Sequence, residues 1–233
     1  MKIGLFSLPE ITPGKREIKD ERLDQVDKIT KSKKKVYIQV ELLGEGAVLD
    51  AEVVLVAKEA RTDIILSDLE FVENRLAKAL DDSEKNLLLK FKNILEKEEL
   101  ISSIVLSEEE KKIISGYGLI TIKPVVMAEK EELEDLDKLF FRVFKESGFM
   151  SFFTTGEKDT RAWLIKKGAT AWEASGAIHS DIQKGFIRAE IISFNDFIQF
   201  GGETGAKQAG KLRLEQKDYI MVDCDLVNFR FNK

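Results

Sequence analysis

The stretch Arg161-Ala-Trp-Leu-Ile-Lys-Lys-Gly-Ala-Thr-Ala-Trp-Glu173 decides how the last third of the chain is interpreted. Its first five residues are typical of a strand, and Lys166-Lys167-Gly168 is typical of a turn. Thr170 stands three residues before Glu173, which is the spacing of a capping box and predicts a helix that continues to Ile178. The stretch therefore predicts a strand, a turn and a helix.

The residues that follow continue this pattern of short strands and helices. An apolar run predicts a strand over 186–193, and a short helix is expected over 195–200. Two further strands are expected around 219–221 and over 226–231. The predicted result is a mixed sheet wrapped around one helix.

The first sixty residues predict a small α/β unit. Residues 2–8 are typical of a short strand, and residues 35–42 alternate between apolar and polar side chains as a half-buried strand does. Between them, residues 20–30 carry apolar side chains at helical spacing, and residues 51–57 form a third apolar run rich in β-branched side chains.

From residue 62 onward, the apolar side chains recur in steps of three and four, as they do on one face of a helix. Asp81 to Ser83 interrupts this stripe and predicts the turn of an antiparallel helical hairpin. The apolar positions are Ile65, Leu69, Val72, Leu76 and Leu80 before the turn, and Leu87, Leu88, Phe91, Ile94 and Leu95 after it. Beyond the hairpin, a helix is expected over 107–115, a strand over 119–127 and a helix over 131–146.

The composition restricts the class of protein. The chain has 233 residues, 43% of them hydrophobic and 34% charged, which indicates a folded protein with a buried core. One cysteine excludes an intrachain disulfide, and the apolar run near Met1 is too short for a secretory leader or a membrane span. We therefore expect a cytoplasmic location. The net charge of −5 argues against a protein that coats nucleic acid with its whole surface, but not against a local basic face.

Several short blocks in the last third resemble the C-terminal TGS domain of the YchF/Obg-like ATPase family. They are Ser151 to Trp163, Lys167 to Ala171, Ile178 to Asp181, Lys184 to Glu190, Gly210 to Glu215 and Phe229 to Phe231. Weaker blocks lie upstream in the same order as in the family, at Asp20 to Asp24, Ser67 to Leu76, Leu106 to Glu110 and Lys123 to Val125.

This resemblance implies an α+β fold. Residues 148–233 are expected to form a β-grasp (ubiquitin-like) TGS domain. Residues 1–60 and 118–147 are expected to be a remnant α/β part of a P-loop-type domain, with a helical hairpin or arm inserted at 61–117.

The motifs with which this family holds a nucleotide are not found in the sequence. A P-loop requires G-x-x-x-x-G-K-[S/T], because backbone amides cradle the phosphates and the hydroxyl binds magnesium. Here Gly4 is followed by a long segment with two prolines before Gly14-Lys15-Arg16, and Arg16 replaces the hydroxyl residue. The magnesium-side D-x-x-G is replaced by Leu43-Gly-Glu-Gly46, and Met127 to Lys130 replaces the base-recognition motif. We therefore expect no enzyme activity, no catalytic or nucleotide-binding residues and no cofactor.

The family resemblance implies a partner in the translation machinery. We expect a non-catalytic TGS-domain binding protein with a degenerate NTPase part that associates with RNA, the ribosome or translation factors, and no membrane partner. Two alternatives stay open. The chain is an ATP- or GTP-binding regulatory protein with a non-standard nucleotide site, or it is an adaptor that binds a protein through the β-grasp edge or the helical arm.

Basic side chains of the last third are the candidates for contacts with RNA phosphate. They are Arg161, Lys166, Lys167, Lys184, Arg188, Lys207, Lys211 and Arg213. A second basic cluster precedes the strand at residue 35 and consists of Lys31, Lys33, Lys34 and Lys35. No metal site is expected, because His179 is the only histidine.

Two residues depart from the family pattern in the last third. Cys224 stands between Asp223 and Asp225, where the family usually has glycine. The two carboxylates are expected to raise the pKa of the thiol, and if the turn requires a positive φ at this position, a side chain there costs about 1 kcal/mol. Trp172 stands where the family typically has proline. An exposed indole there would mark a contact surface, and packing of the indole against the remnant α/β part is the equally weighted alternative.

Overall fold

The chain folds into two compact units, each with a sheet of its own. The structure, a computed structural model, describes residues 1–79 and 81–232. The first unit comprises Met1–Arg16 and Val40–Leu139, and the second comprises Glu17–Gln39 and Phe140–Lys233. Residues 17–39, which the sequence assigns to the first domain, are thus grouped with the last third of the chain.

The regular elements of the described residues are mostly short. The strands are β1 (Lys2–Phe6), β2 (Gly14–Ile18), β3 (Lys34–Val36), β4 (Ile38–Leu43), β5 (Val53–Ala57), β6 (Val125–Ala128), β7 (Phe149–Thr155), β8 (Asp159–Lys166), β9 (Phe186–Ile192), β10 (Arg213–Glu215) and β11 (Leu226–Phe231). The α-helices are α1 (Glu21–Thr30), α2 (Arg61–Leu76), α3 (Asp82–Leu95), α4 (Glu108–Ile113), α5 (Leu136–Glu146), α6 (Ala171–Ile178), α7 (Ser180–Lys184), α8 (Phe194–Gln199) and α9 (Glu203–Gln208). Stretches of 3-10 helix span Glu45–Asp50, Lys58–Ala60, Ile101–Ser103 and Lys130–Glu134.

The first sheet has the strand order β2-β4-β1-β5-β6. Strand β1 pairs in parallel with β4 and β5, and β5 pairs in parallel with β6. The interior of β5 is buried on both faces, as is usual for a parallel strand covered on both sides. Val54 and Val56 from this strand share one apolar core with Leu88 and Phe91 of α3.

The predicted helical hairpin is confirmed by α2 and α3, which pack against each other. Ion pairs join Glu73 to Lys92 and Arg75 to Glu84. The later residue of α2 pairs with the earlier residue of α3, so the two helices are antiparallel.

Three predicted boundaries are wrong in detail. The hairpin turn comes earlier than Asp81 to Ser83, because α3 already begins at Asp82 and is capped by the Asp81 side chain. The strand predicted over 35–42 is two strands, β3 and β4, which belong to different sheets. The strand predicted over 119–127 is limited to β6, because Asp68 accepts hydrogen bonds from the backbone N–H groups of the residues before it. Leu80, a predicted member of the apolar stripe, lies outside the described residues.

The second sheet has the strand order β10-β9-β11-β7-β8-β3. Strands β7 and β8 are antiparallel, as are β9 and β11, whereas β11 runs parallel to β7, and β3 parallel to β8. The mixed sheet predicted for the last third is confirmed. So is the capping box of Thr170 and Glu173 at the start of α6. The strand predicted around 219–221 is only an isolated bridge between Thr170 and Ile220.

Arg22 connects three separate parts of the second unit. Its Nε and Nη2 donate to the Asp20 carboxylate at 2.8 and 2.7 Å, and its Nη1 donates to Asp223 Oδ2 at 2.5 Å. Asp223 also accepts from Lys145 Nζ at 2.5 Å and from the backbone N–H of Ser151 at 3.1 Å. Burial opposes charge on the Asp223 carboxyl, yet these hydrogen bonds hold its pKa below the ordinary value.

Cys224 lies in the turn that this network fixes. Its φ is 67°, so the turn does require a positive φ at this position, and its N–H donates to the Ser151 carbonyl at 2.7 Å. The side chain is 2% exposed. Burial raises the pKa of the Cys224 thiol to about 12, and the neighbouring Asp223 adds to the shift while Arg22 opposes it. The predicted direction is confirmed, but burial rather than flanking charge is the main cause.

Replacing Arg22 should destabilise the second unit. Arg22→Ala leaves the largely buried carboxylate of Asp20 without its guanidinium, and we expect a loss of about 3 kcal/mol in the free energy of unfolding. Both tryptophans, Trp163 and Trp172, lie in this unit, so tryptophan fluorescence during urea unfolding reports on it. Lys207→Ala, which breaks an exposed pair one helical turn apart, is the control and should cost at most about 0.5 kcal/mol. Equal losses in the two variants would contradict a structural role for Arg22.

The Cys224 thiol should resist alkylation while the protein is folded. Because its pKa is about 12, almost no thiolate forms at neutral pH, and the buried sulfur is also shielded from the reagent. We expect no incorporation of iodoacetamide at about pH 8 and complete incorporation in concentrated guanidinium chloride, where the thiol has an ordinary pKa near 8.5. Mass spectrometry measures both. Rapid labelling of the folded protein would show that the site opens.

Candidate nucleic-acid interface

The carboxyl ends of the parallel strands of the first unit form the edge at which open α/β sheets usually bind ligands. After β1, the backbone N–H of Ser7 donates to Glu45 Oε2 at 3.2 Å, and Ser7 itself has a φ of 55°. After β5 and β6, Lys58 and Glu129 form an ion pair at 2.5 Å. The polar groups at this edge of the sheet are therefore paired with each other, Ser7 with Glu45 and Lys58 with Glu129. Gly14, whose dipeptide with Lys15 most resembles a P-loop ending, lies in strand β2.

Lys123 holds the segment that follows β4. Its ammonium group donates to the carbonyl of Ala51 at 2.7 Å, to that of Val48 at 3.3 Å and to that of Leu49. Burial lowers the pKa of Lys123 from its ordinary value. The same segment packs so closely on β1 that a Cβ at Gly4 would lie 3.0 Å from Ala51 Cβ. Residues 44–51 are thus anchored from two sides.

Most of the basic candidates of the last third are already engaged with other groups of the second unit. Four of them form ion pairs with carboxylates, and Lys167 donates to the carbonyl of Lys145 at 2.7 Å. The four ion pairs are Arg161–Asp159 at 3.0 Å, Lys207–Glu203 at 2.5 Å, Lys211–Asp196 at 3.5 Å and Arg213–Glu215 at 3.2 Å. A cation with a carboxylate partner attracts an incoming phosphate less, because its partner repels that phosphate.

The other three basic candidates are exposed and are not paired with a carboxylate of the described residues. Lys166, Lys184 and Arg188 form no ion pair with any residue of 1–79 or 81–232. They lie at the end of β8, at the end of α7 and in β9. Arg188 stands opposite Arg230 of β11 in the antiparallel register. The Glu190 carboxylate binds Arg230 through two hydrogen bonds of 2.9 Å, so its charge is already shared.

Lys184 lines an open groove between the end of α7 and the end of β11, of volume ≈ 760 Å³. We name it the α7–β11 groove, and its lining residues are His179, Asp181, Ile182, Lys184, Gly185, Phe231 and Asn232. Its floor depends on Gly185, where a Cβ would lie 2.1 Å from the Asn232 carbonyl oxygen. No pattern in the sequence indicates this groove. The alternation Phe229-Arg230-Phe231 is typical of a strand with one exposed face, and it is the pattern from which an exposed Arg230 could be predicted.

The remaining sequence candidates are spread over the second unit. Lys31, Lys33 and Lys34 are exposed, whereas Lys35 forms an ion pair with Asp24 at 2.5 Å. Trp172 is 44% exposed, as a contact residue at that position would be. His179 Nδ1 accepts a hydrogen bond from the backbone N–H of Asp181 at 3.1 Å, so a neutral imidazole carries its proton on Nε2.

Neither a metal-binding cluster nor a membrane-spanning helix is found among the described residues. Within 1–79 and 81–232, no group of three or more His, Cys, Asp or Glu side chains is arranged to hold a metal ion. In the same residues, no helix has both the length and the apolar character required to span a bilayer.

Residues 149–232 match a family model described as YchF-GTPase_C, a protein of unknown function. The chain is 36% identical over 233 residues to the ribosome-binding ATPase YchF of Haemophilus ducreyi, an alignment that covers 73% of this chain and 64% of that protein. It is 30% identical over 253 residues to the ribosome-binding ATPase YchF of Buchnera aphidicola subsp. Acyrthosiphon pisum, with 84% of this chain and 68% of that protein covered. The chain thus spans slightly less than two thirds of the Haemophilus relative.

The same family appears among solved structures. The YchF GTPase of Schizosaccharomyces pombe superposes with a TM-score of 0.78 at 18% identity, over 99% of this chain and 97% of that one. At this level of identity the likeness shows the fold alone, which is mixed α/β.

These relatives correct one expectation. Because the nucleotide motifs are missing, the sequence predicted a protein that is not an enzyme. The relatives are named ATPases, so the family is one of nucleotide-hydrolysing enzymes and that prediction is wrong at the level of the family. Its identity to these relatives shows that the chain belongs to the YchF family.

Proposed function

We propose that this chain associates with the ribosome, and that its second unit makes the contact. The observation that carries the proposal is the identity of the relatives, which are named ribosome-binding ATPases. The match to the YchF-GTPase_C model supports the second unit as the contacting part, because that model covers residues 149–232. A cytoplasmic location is part of the same proposal, since ribosomes are its partner.

We also propose that residues 148–233 form a TGS domain of the β-grasp type. The supporting observation is the order β10-β9-β11-β7-β8, in which β7 and β11 are parallel neighbours and each lies beside an antiparallel partner. Helix α6 follows β8 and contributes Ala171 and Ala174 to the apolar core under the sheet.

Phosphate groups of ribosomal RNA are the proposed ligands of the second unit. Lys166, Lys184 and Arg188 support this assignment, because no carboxylate of the described residues neutralises them. A cation that releases counterions from RNA contributes to affinity in proportion to the phosphates it contacts. Cations that already have carboxylate partners contribute less.

Co-sedimentation with purified ribosomes tests the proposal. We expect the intact chain to pellet with ribosomes at about 50 mM salt and to dissociate as the salt rises toward about 200 mM, because phosphate contacts are screened. Failure of the folded protein to pellet under both conditions would contradict the proposal. Association that survives both nuclease treatment and high salt would instead indicate a protein partner and an adaptor role.

A second function, nucleotide binding and hydrolysis, is favoured by the word ATPase in the names of the relatives. The sequence G-x-x-x-x-G-K-[S/T] is missing from the chain, so a nucleotide would have to be held by other groups. Isothermal titration calorimetry with ATP and with GTP, each with Mg²⁺, measures this directly. Micromolar affinity would support the second function, and the absence of a binding signal would contradict it without affecting ribosome association.

A further inference from the structure

Five exposed lysines lie at the outer end of the second sheet, around strand β3. None of them forms an ion pair with any residue of 1–79 or 81–232. We name this surface the lysine edge, and its members are Lys28, Lys31, Lys33, Lys34 and Lys158. Strand β3 is the last strand in the order β10-β9-β11-β7-β8-β3, and no described strand pairs with its outer side. The five side chains are therefore accessible to a partner.

The backbone that carries these lysines is held against the turn between β7 and β8. The N–H of Lys33 donates to the carbonyl of Glu157 at 3.2 Å, and the Ser32 hydroxyl donates to the carbonyl of Gly156 at 2.6 Å. Strand β3 then continues alongside β8 in a parallel register. Because the same turn carries Lys158, lysines from two distant parts of the sequence lie on one surface.

The carboxylates around the lysine edge leave it positively charged. Asp27 and Glu157 form no ion pair with any described residue, so two free carboxylates oppose five lysines, an excess of three positive charges. The other nearby carboxylates are already bound to cations, in the pairs Asp24–Lys35 at 2.5 Å, Asp159–Arg161 at 3.0 Å and Glu203–Lys207 at 2.5 Å. The lysine edge therefore attracts an anionic partner.

Local structural roles explain only part of the lysine edge. Lysine on an edge strand discourages pairing with another chain, but Lys34 is the one member of the lysine edge that lies within β3. The helix dipole favours cations at the carboxyl end of α1, which accounts for Lys28 and Lys31. Neither reason applies to Lys33 or Lys158.

We propose that the lysine edge binds the phosphate backbone of duplex RNA. This inference rests on the proposed ribosome association and names the surface and the form of RNA that meet. A single strand is usually held by an exposed aromatic ring on which a base stacks. The ring beside these lysines, Tyr37, is engaged, because its hydroxyl donates to Asp24 and the Lys35 ammonium group lies 5.0 Å from its centre. A duplex needs no such ring, since its phosphates are contacted without reading the bases.

The side chains of the lysine edge favour RNA over a protein or a membrane as the partner. Protein interfaces have a centre in which lysine is depleted and aromatic residues are enriched, whereas interfaces with nucleic acid are polar and strongly positive. A basic patch that binds a membrane stably is joined by an apolar or lipid anchor. The apolar side chains of residues 28–36 and 156–159 are Ile29 and Val36, and both are half-buried. They offer no anchor of this kind.

Fluorescence anisotropy with a labelled duplex RNA of mixed sequence tests the lysine edge in the full chain. Lys33→Gln/Lys34→Gln should reduce the slope of log affinity against log salt by about 1.8, the value for two phosphate contacts on a duplex. Lys33→Arg/Lys34→Arg keeps both charges and should keep the slope.

The matched control is Lys112→Gln/Lys217→Gln. It removes two exposed lysines that lie outside the lysine edge and have no ion-pair partner among the described residues. The net charge of the chain changes by the same amount as in Lys33→Gln/Lys34→Gln, yet the salt slope should stay as in the wild type. Circular dichroism verifies that each variant is folded.

The possible results separate the lysine edge from the ribosome proposal. Equal reductions in the two Gln double variants would overturn the lysine edge as the RNA site, and so would tighter binding to the single strand than to the duplex at the same salt. Binding to vesicles of phosphatidylcholine and phosphatidylserine that depends on Lys33 and Lys34, without binding to duplex RNA, would assign the surface to a membrane and contradict the proposal.

Two further outcomes distinguish the two proposals. If the wild-type chain pellets with ribosomes but does not bind the duplex, the lysine edge is not an RNA site and ribosome association stands. If the duplex binds in a way that depends on Lys33 and Lys34 but ribosomes do not retain the chain, the lysine edge stands and the ribosome proposal is wrong.

Discussion

The guanidinium of Arg22 determines how the second unit is assembled. It binds Asp20 at the start of α1 and Asp223 in the turn before β11, and Asp223 in turn receives Lys145 from α5 and the N–H of Ser151 from β7. Three parts of the chain that are far apart in sequence, residues 20–22, 145–151 and 223, therefore meet at two carboxylates. Without the arginine, a nearly buried Asp20 would carry an uncompensated charge, which is costly in a protein interior. The same network fixes the turn in which Cys224 adopts its positive φ, and the course of β11 follows from that turn.

The position of β11 then sets the chemistry of the surface. The register of β11 with β9 places Arg230 opposite Arg188 and within hydrogen-bond distance of Glu190. Because the Glu190 carboxylate binds Arg230, it does not pair with Arg188. Asn232, which directly follows β11, passes so close to Gly185 that no side chain fits between them, and this approach forms the floor of the α7–β11 groove. The surface of this unit thus differs from what a count of cations suggests, because most of its cations are paired with carboxylates.

Local patterns in the sequence were sufficient for much of the fold. The capping box at Thr170, the helical stripes of the hairpin and the alternating strands of the last third each depend on neighbours along the chain, and each was predicted. The split of residues 35–42 into two strands was not, because it depends on pairing in two different sheets. Local spacing also cannot show which carboxylate lies beside a given lysine. For that reason Lys207 and Lys211 were ranked with Lys184, although only Lys184 lacks an ion pair.

Ultraviolet cross-linking of the ribosome-bound chain, followed by mass spectrometry of the RNA-modified peptides, tests the central claim most directly. The account predicts that nucleotides of ribosomal RNA become attached to peptides of the second unit whose cations lack a carboxylate partner, such as those that contain residues 28–34 and 184–188. Cross-links confined to the first unit, or to peptides with only ion-paired lysines, would contradict it.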